Sequence, residues 1–217
     1  MPTRLPPITR NLLIANVVVF LLQQVMGETL IAHFALWPWG PDQLAQARDG
    51  SVIAIGFRLW QLVTYAFMHG GYAHIFFNMF ALYMFGGAIE QTFGARNFIL
   101  YYFVCLVVAA LTQLLVVKYF THGFEPTLGA SGAIFGLLLA FGMLYPQEKL
   151  MLMFIPIPIP AWLFVIGYGA VELMLGVFGW QPDVAHFAHL GGMLGGFLMI
   201  EYCRGKLPIK PKRRLMR

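Results

Sequence analysis

The sequence predicts an all-α membrane protein, a bundle of six transmembrane helices with a membrane-embedded first loop. Three observations carry that prediction. Only 11% of the 217 residues are charged and 59% are hydrophobic, whereas a soluble domain is about 25% charged. Six apolar runs follow one another, each close to the roughly 20 residues that a bilayer crossing needs. Basic residues crowd one side of those runs. The runs form one domain over residues 1–203, and residues 204–217 form a basic cytoplasmic tail.

Residues 1–10 are a short polar leader with Arg4 and Arg10. The apolar run from Asn11 to Met26 resembles the core of a signal peptide. No small-residue cleavage site follows it and many spans come after, so it reads as the first helix. Its amides Asn16, Gln23 and Gln24 are expected to face the bundle. Residues 27–58 form a long connection in which Phe34, Leu36, Trp37, Trp39 and Leu44 make the surface amphiphilic. Tryptophan favours the bilayer interface, which places this loop partly in lipid. Helix two is expected over Tyr72–Phe93, helix three over Asn97–Val117 and helix four over Thr127–Tyr145, closed by Pro146. Prolines at 156, 158 and 160 forbid a regular helix there. Helix five then covers Ile159–Phe178 and helix six Val184–Tyr202.

Six crossings put both termini on one side. That side carries Arg4, Arg10, Arg96, Lys149 and the tail cations Arg204, Lys206, Lys210, Lys212, Arg213, Arg214 and Arg217. The other keeps Arg48, Arg58 and Lys118. The positive-inside rule makes the first side cytoplasmic. Much of the +5 formal charge therefore lies beside the membrane, where it fits anionic lipid rather than nucleic acid. Cys105 and Cys203 are far apart in apolar runs and read as buried small hydrophobes, neither a disulfide nor a metal site.

Helices two, four and six enter from the non-cytoplasmic face. His74, Asn78, Ser131 and His189 then all lie roughly 6–10 Å below that surface, at about 1.5 Å per residue. Ionisable groups inside a membrane are costly and mark function by default. Ser131 sits in Gly129-Ala130-Ser131-Gly132, and two readings are open for it. Gly132 and Gly136 form a small-residue pair suited to close helix packing. Alternatively, Ser131 is a nucleophile, kept uncovered by its glycines. Gly192 and Gly196 share a helix face with His189, while Gly191 and Gly195 add a second small pair. If helices four and six pack on these residues, serine meets imidazole. A hydroxyl needs such a base to become nucleophilic, and its oxyanion needs preorganised donors. Asn78, His74 and the Ser131 backbone N–H could supply them. No Asp or Glu is expected at that depth, so the reading is a Ser131–His189 dyad rather than a triad.

These residues resemble the rhomboid family of intramembrane serine proteases. The motifs are His69-x4-His74-x3-Asn78, Gly129-Ala130-Ser131-Gly132, Ala188-His189-Leu190-Gly191-Gly192, and Gly87-x2-Glu90-x3-Gly94. The resemblance covers nearly the whole chain, from about Ile8 to Tyr202. The resemblance implies Ser131 as nucleophile and His189 as general base and acid. It implies His74, Asn78 and Gly129 in oxyanion and substrate binding, and His69 as a brace beneath the loop. It implies substrates that are transmembrane segments of other proteins, cut near the outer face, with small side chains before the scissile bond and lateral entry between helices two and five. With no extramembrane domain or seventh helix in this sequence, the likeness is to the minimal bacterial form in the inner membrane. Two positions depart from the pattern. Trp60-Gln61 stands where family members often have Trp-Arg, leaving Arg58 as the candidate partner for Glu90. Phe135 stands where a tyrosine often stacks on the histidine.

Three functions compete. The first is an intramembrane serine endopeptidase. The second is a non-catalytic relative that binds membrane helices; such relatives lack the serine or the histidine. The third is a small transporter, which would string polar residues through the full thickness and show an inverted repeat. No cofactor is expected. His186 and His189 raise zinc, but a catalytic zinc takes three protein ligands and no third is evident. Glu172 is left either facing water or bonding a neighbouring helix. His33 and His122 read as loop residues. Oligomeric state is not encoded in any recognisable pattern.

Overall fold

The structure is a computed structural model that describes residues 5–46, 50–152, 155–181 and 184–208. Arg4, Arg48 and the tail cations from Lys210 onward lie outside the described residues. Eight helices run in order among those described: α1 (Pro7–Met26), α2 (Glu28–Phe34), α3 (Gln61–Thr64), α4 (Tyr72–Phe93), α5 (Ala95–Thr121), α6 (Ser131–Leu144), α7 (Ala161–Phe178) and α8 (His186–Cys203). Antiparallel hairpins lie in two loops, β1 (Gln43–Gln46) with β2 (Val52–Ile55), and β3 (Lys149–Leu152) with β4 (Ile155–Pro160).

Each of the six apolar runs contains a helix, but the helices expected from Thr127, Ile159 and Val184 begin only at Ser131, Ala161 and His186, and Ile159 and Pro160 belong to β4. Helices α1, α4, α5 and α7 are long and apolar enough to cross a membrane. Helix α6 has only 14 residues, about 21 Å at 1.5 Å per residue. Helix α8 carries His186 and His189. These two can be shorter or more polar because they are inner helices. Gly132, Gly136, Leu137 and Ala140 of α6 and Gly191, Gly192, Gly195 and Ile200 of α8 are all buried.

Glycine sets how closely the inner helices approach. A Cβ on Gly192 would overlap the Gly132 carbonyl, and one on Gly196 would lie 3.3 Å from the Gly136 Cα. The Tyr101 hydroxyl crosses the same seam to donate to the Gly136 carbonyl at 2.6 Å. The second small pair serves α5 instead. A Cβ on Gly191 would lie 2.6 Å from Thr112 Cβ, and one on Gly195 2.9 Å from Val108 Cβ. Helix α8 is therefore bare on two faces. Around this seam the buried Phe98, Tyr102, Leu106, Leu137 and Ile200 build one core.

Helix α1 starts with Pro7 in its first turn and no side-chain cap of its own. Glu90 of α4 supplies one, accepting from the Ile8 N–H at 2.9 Å, the Thr9 N–H at 2.7 Å and the Thr9 hydroxyl at 2.8 Å. A carboxylate satisfies the free N–H groups of a helix start and complements its dipole. Arg58 is thus not the partner of Glu90. It makes a two-pronged hydrogen bond to Asp42, at 2.9 and 2.6 Å. That hydrogen bond holds the Asp42 carboxyl below the ordinary carboxylate range, so the tie is lost only as acid protonates Asp42.

The first loop is more ordered than a connection. It forms α2 and the β1–β2 hairpin, and His33 lies on α2 rather than in a loop. Gln61 anchors it where an arginine was anticipated. Its oxygen accepts from the Trp37 and Arg58 N–H groups, and its amide donates to the Gly56 and His33 carbonyls. Phe34, Leu44, Val52, Leu59 and Trp60 stay exposed on it, as suits a surface against lipid. Of the amides Asn16, Gln23 and Gln24 in α1, Asn16 and Gln23 are buried while Gln24 faces outward.

Replacing Gly192 with alanine should separate α6 from α8, at a cost of about 3 kcal/mol by overpacking. Gly167→Ala meets no atom within 4 Å and should leave stability unchanged. Thermal unfolding of both variants in the same detergent checks the contrast.

Candidate active site

Ser131 is the first residue of α6. Residues 127–130 were expected to be helical and are not. Thr127 instead bridges to Leu36, and the Gly129 N–H donates to the Tyr65 carbonyl at 3.0 Å. Gly129 has φ +109°, a region closed to most L-residues. This turn delivers Ser131 to the end of a helix, where N–H groups lack intrahelical partners.

His189 is the fourth residue of α8. Its Nε2 lies 2.8 Å from Ser131 Oγ. The Phe135 ring stacks on it with centroids 4.2 Å apart and planes 7° from parallel. Phe135 follows Ser131 by one turn, so α6 presents both the hydroxyl and the platform.

The far side of His189 corrects an expectation. Glu172 Oε2 lies 2.8 Å from His189 Nδ1 and 2.7 Å from His186 Nδ1. A carboxylate does lie at this depth. Helix α7 ends at Phe178, which puts Glu172 about 9 Å before its C-terminal end at 1.5 Å per residue. His186 and His189 are three apart and share a face of α8, and Glu172 sits between them.

His74 and Asn78 come to the same place from α4. The Gly70 N–H donates to His74 Nδ1 at 3.3 Å, so His74 Nε2 carries the ring hydrogen. That nitrogen would lie 2.7 Å from a Cβ on Gly129. Asn78 Nδ2 donates to the His74 carbonyl at 2.9 Å and would lie 3.9 Å from the same Cβ. Its oxygen is buried without a partner among the described residues. His74, Asn78 and Gly129 thus adjoin one another beside Ser131. His69 stands apart. The Gln23 amide clamps its backbone, donating to the carbonyl at 2.7 Å and accepting from the N–H at 3.0 Å. Its ring packs edge-on to His74 with centroids 5.1 Å apart.

Glu172, His186 and His189 also form a three-donor group, with ligand atoms within 4.8 Å of one another. The third ligand that zinc would need is therefore present, contrary to the expectation from sequence. The spacing is that of hydrogen bonds, however. Two atoms held about 2.0–2.1 Å from one tetrahedral zinc are about 3.4 Å apart, and these carboxylate–imidazole contacts are 2.7 and 2.8 Å.

Comparison with known proteins gives a consistent family assignment. Residues 56–206 match the Rhomboid domain. The chain is 32% identical over 210 residues to Rhomboid protein 1, mitochondrial, of Saccharomyces cerevisiae, covering 85% of this chain and 60% of that protein. It is 30% identical over 200 residues to Rhomboid protease GluP of Bacillus subtilis, covering 88% of this chain and 34% of that protein. The chain thus spans less than two thirds of the length of either relative.

The turn before Ser131 should tolerate no side chain. Gly129→Ala places a Cβ against His74 at positive φ, a strain of about 1–3 kcal/mol. A lowered thermal midpoint is expected; a midpoint equal to that of the parent protein would show that the turn does not need glycine.

Proposed function

This chain belongs to the rhomboid family, and from that premise we propose that it is an intramembrane serine endopeptidase. It hydrolyses peptide bonds in or next to transmembrane segments of other membrane proteins. The observation that carries this reading is the 2.8 Å contact between Ser131 Oγ and His189 Nε2. In the reaction, Nε2 takes the serine proton as Oγ attacks the scissile carbonyl carbon. The C=O electron pair moves to oxygen, and the tetrahedral oxyanion is held by N–H donors. Candidate donors are His74 Nε2–H, the Asn78 amide and the backbone N–H at the start of α6. Collapse expels the amine, which takes the proton from His189. Water, activated by the same nitrogen, then hydrolyses the acyl-enzyme.

The protein is a multi-pass membrane protein. In the proposed orientation both termini are cytoplasmic and the site opens to the outer face, in a bacterial inner membrane. Supporting this, Arg10 and Arg96 fall in the first turns of α1 and α5, Lys149 opens β3 five residues after α6, and Arg204 directly follows α8. Those ends share one side when successive spans alternate direction. Lateral entry between α4 and α7 is supported by α7, the least buried of the four long apolar helices. Small residues before the scissile bond fit the closeness of His74 to Gly129, which leaves little room beside Ser131. The non-catalytic alternative fits less well, because the hydroxyl and imidazole it can dispense with are in contact.

Ser131→Ala should abolish cleavage of a transmembrane reporter in proteoliposomes while the variant keeps its thermal midpoint. A fluorophosphonate probe should label the parent protein at Ser131 and fail to label His189→Ala at a comparable rate. EDTA should leave cleavage unchanged. Cleavage by Ser131→Ala at the parental rate would end the peptidase reading.

A further inference from the structure

Glu172 is 3% exposed, and it lies within a helix apolar enough to span a membrane. An unpaired carboxylate there costs several kcal/mol, which only good hydrogen bonds offset. Its hydrogen-bond partners are His186 Nδ1 and His189 Nδ1, both on the same oxygen. We propose that Glu172 is a positioning residue for His189, and that His186 fixes the Glu172 carboxylate in turn. The sequence of contacts is then Ser131, His189, Glu172, His186, in place of an isolated pair. This deepens the peptidase reading and rests on it.

The hydrogen inventory supports the proposal. His189 Nε2 must be bare to accept the Ser131 proton, so its ring hydrogen belongs on Nδ1. An acceptor 2.8 Å from Nδ1 selects that tautomer. Phe135 sets the plane of the ring by stacking, but a stacked ring can still turn within its plane. The Glu172 contact removes that freedom. On the other side, the Trp180 carbonyl lies 3.1 Å from His186 Nε2 and can only accept. That nitrogen therefore carries a hydrogen. A second proton must lie between His186 Nδ1 and Glu172 Oε2, because two lone pairs do not approach to 2.7 Å. His186 is thereby a hydrogen-bonded strut, held at Trp180 and gripping the carboxylate. Other titratable groups facing this cluster are Tyr168 of α7, which interacts with Glu172, and His74 of α4, which interacts with His189.

A merely structural tie between α7 and α8 would need only one histidine on the carboxylate. It would also leave catalysis intact in any variant that folds. The test uses full-length protein in proteoliposomes with a transmembrane peptide reporter. It compares Glu172→Gln, His186→Asn and His186→Leu for kcat, KM, fluorophosphonate labelling rate and thermal midpoint. Glu172→Gln keeps shape but no longer enforces the tautomer. Its kcat should fall roughly 30-fold or more with KM within about twofold, because orientation acts on the chemical step. Labelling of Ser131 should slow in parallel. His186→Asn keeps an N–H donor near the Nδ1 position and should stay within about threefold of the parent, whereas His186→Leu should lose about tenfold or more.

Parental kcat in folded Glu172→Gln would overturn the proposal. Should that variant not fold, the two His186 variants decide: equal kcat in both, whether high or low, overturns it. Cleavage lost on adding EDTA and restored by zinc would also overturn it, assigning the three side chains to a metal. The peptidase reading fails separately, through absence of cleavage and labelling in the parent protein.

Discussion

The close approach of two helix backbones governs this molecule. Gly192 of α8 faces the Gly132 carbonyl of α6, with no room between them for a methyl group. A hydroxyl and an imidazole have short side chains. They meet at 2.8 Å only because the helices that bear them meet first. In a bilayer the hydrophobic effect does not draw helices together, so packing of small residues has to. Of the two roles open in the sequence for the glycines about the serine, close helix packing is the one that sets the distance from Ser131 to His189.

Several polar contacts in this protein join chain segments far apart in sequence. Glu90 caps α1 from the end of α4, with 81 and 82 residues between partners. Gln23 clamps His69 across 46 residues, and Gln61 ties α2 to the segment before α3. Each buried donor or acceptor would be expensive unpaired in lipid. Each pairing therefore fixes one span or loop against another with little tolerance for slippage. The aromatic residues add bulk at the same joints, as where the Tyr65 hydroxyl donates to the Leu106 carbonyl at 2.9 Å.

The helices were legible in the sequence because they follow from a one-dimensional quantity, the length of apolar runs. The meeting of Ser131, His189, His74 and Gly129 follows from depth together with small-residue faces. Partner choice was not legible in the same way. Arg58 looked available to Glu90 by charge, yet the free N–H groups of α1 are equally good donors and lie nearer. Gln61 can replace an arginine because an amide both donates and accepts, which no charge pattern reveals. The β1–β2 hairpin lies in a loop where lipid-facing and buried apolar residues are mixed, so alternation gave no clear period. Glu172 is visible in the sequence as an acid within an apolar helix, but the helix face it occupies, and so its two histidine partners, is set by packing.

That carboxylate also changes how the site depends on the rest of the fold. Ser131, Phe135 and His189 all belong to inner helices locked by glycine contacts. Glu172 belongs to α7, whose outward face exposes Trp162, Ile166, Val171, Met174 and Val177. Part of its hold on α8 comes from the histidine hydrogen bonds themselves, and part from Gly176 seating against Phe187 and His186. Displacing the outer half of α7 would part Glu172 from His189 without disturbing the Ser131 contact. The geometry thus divides the site in two, a proposed nucleophile and base held by close backbone packing, and a proposed orienting group carried on the least buried of the four long apolar helices.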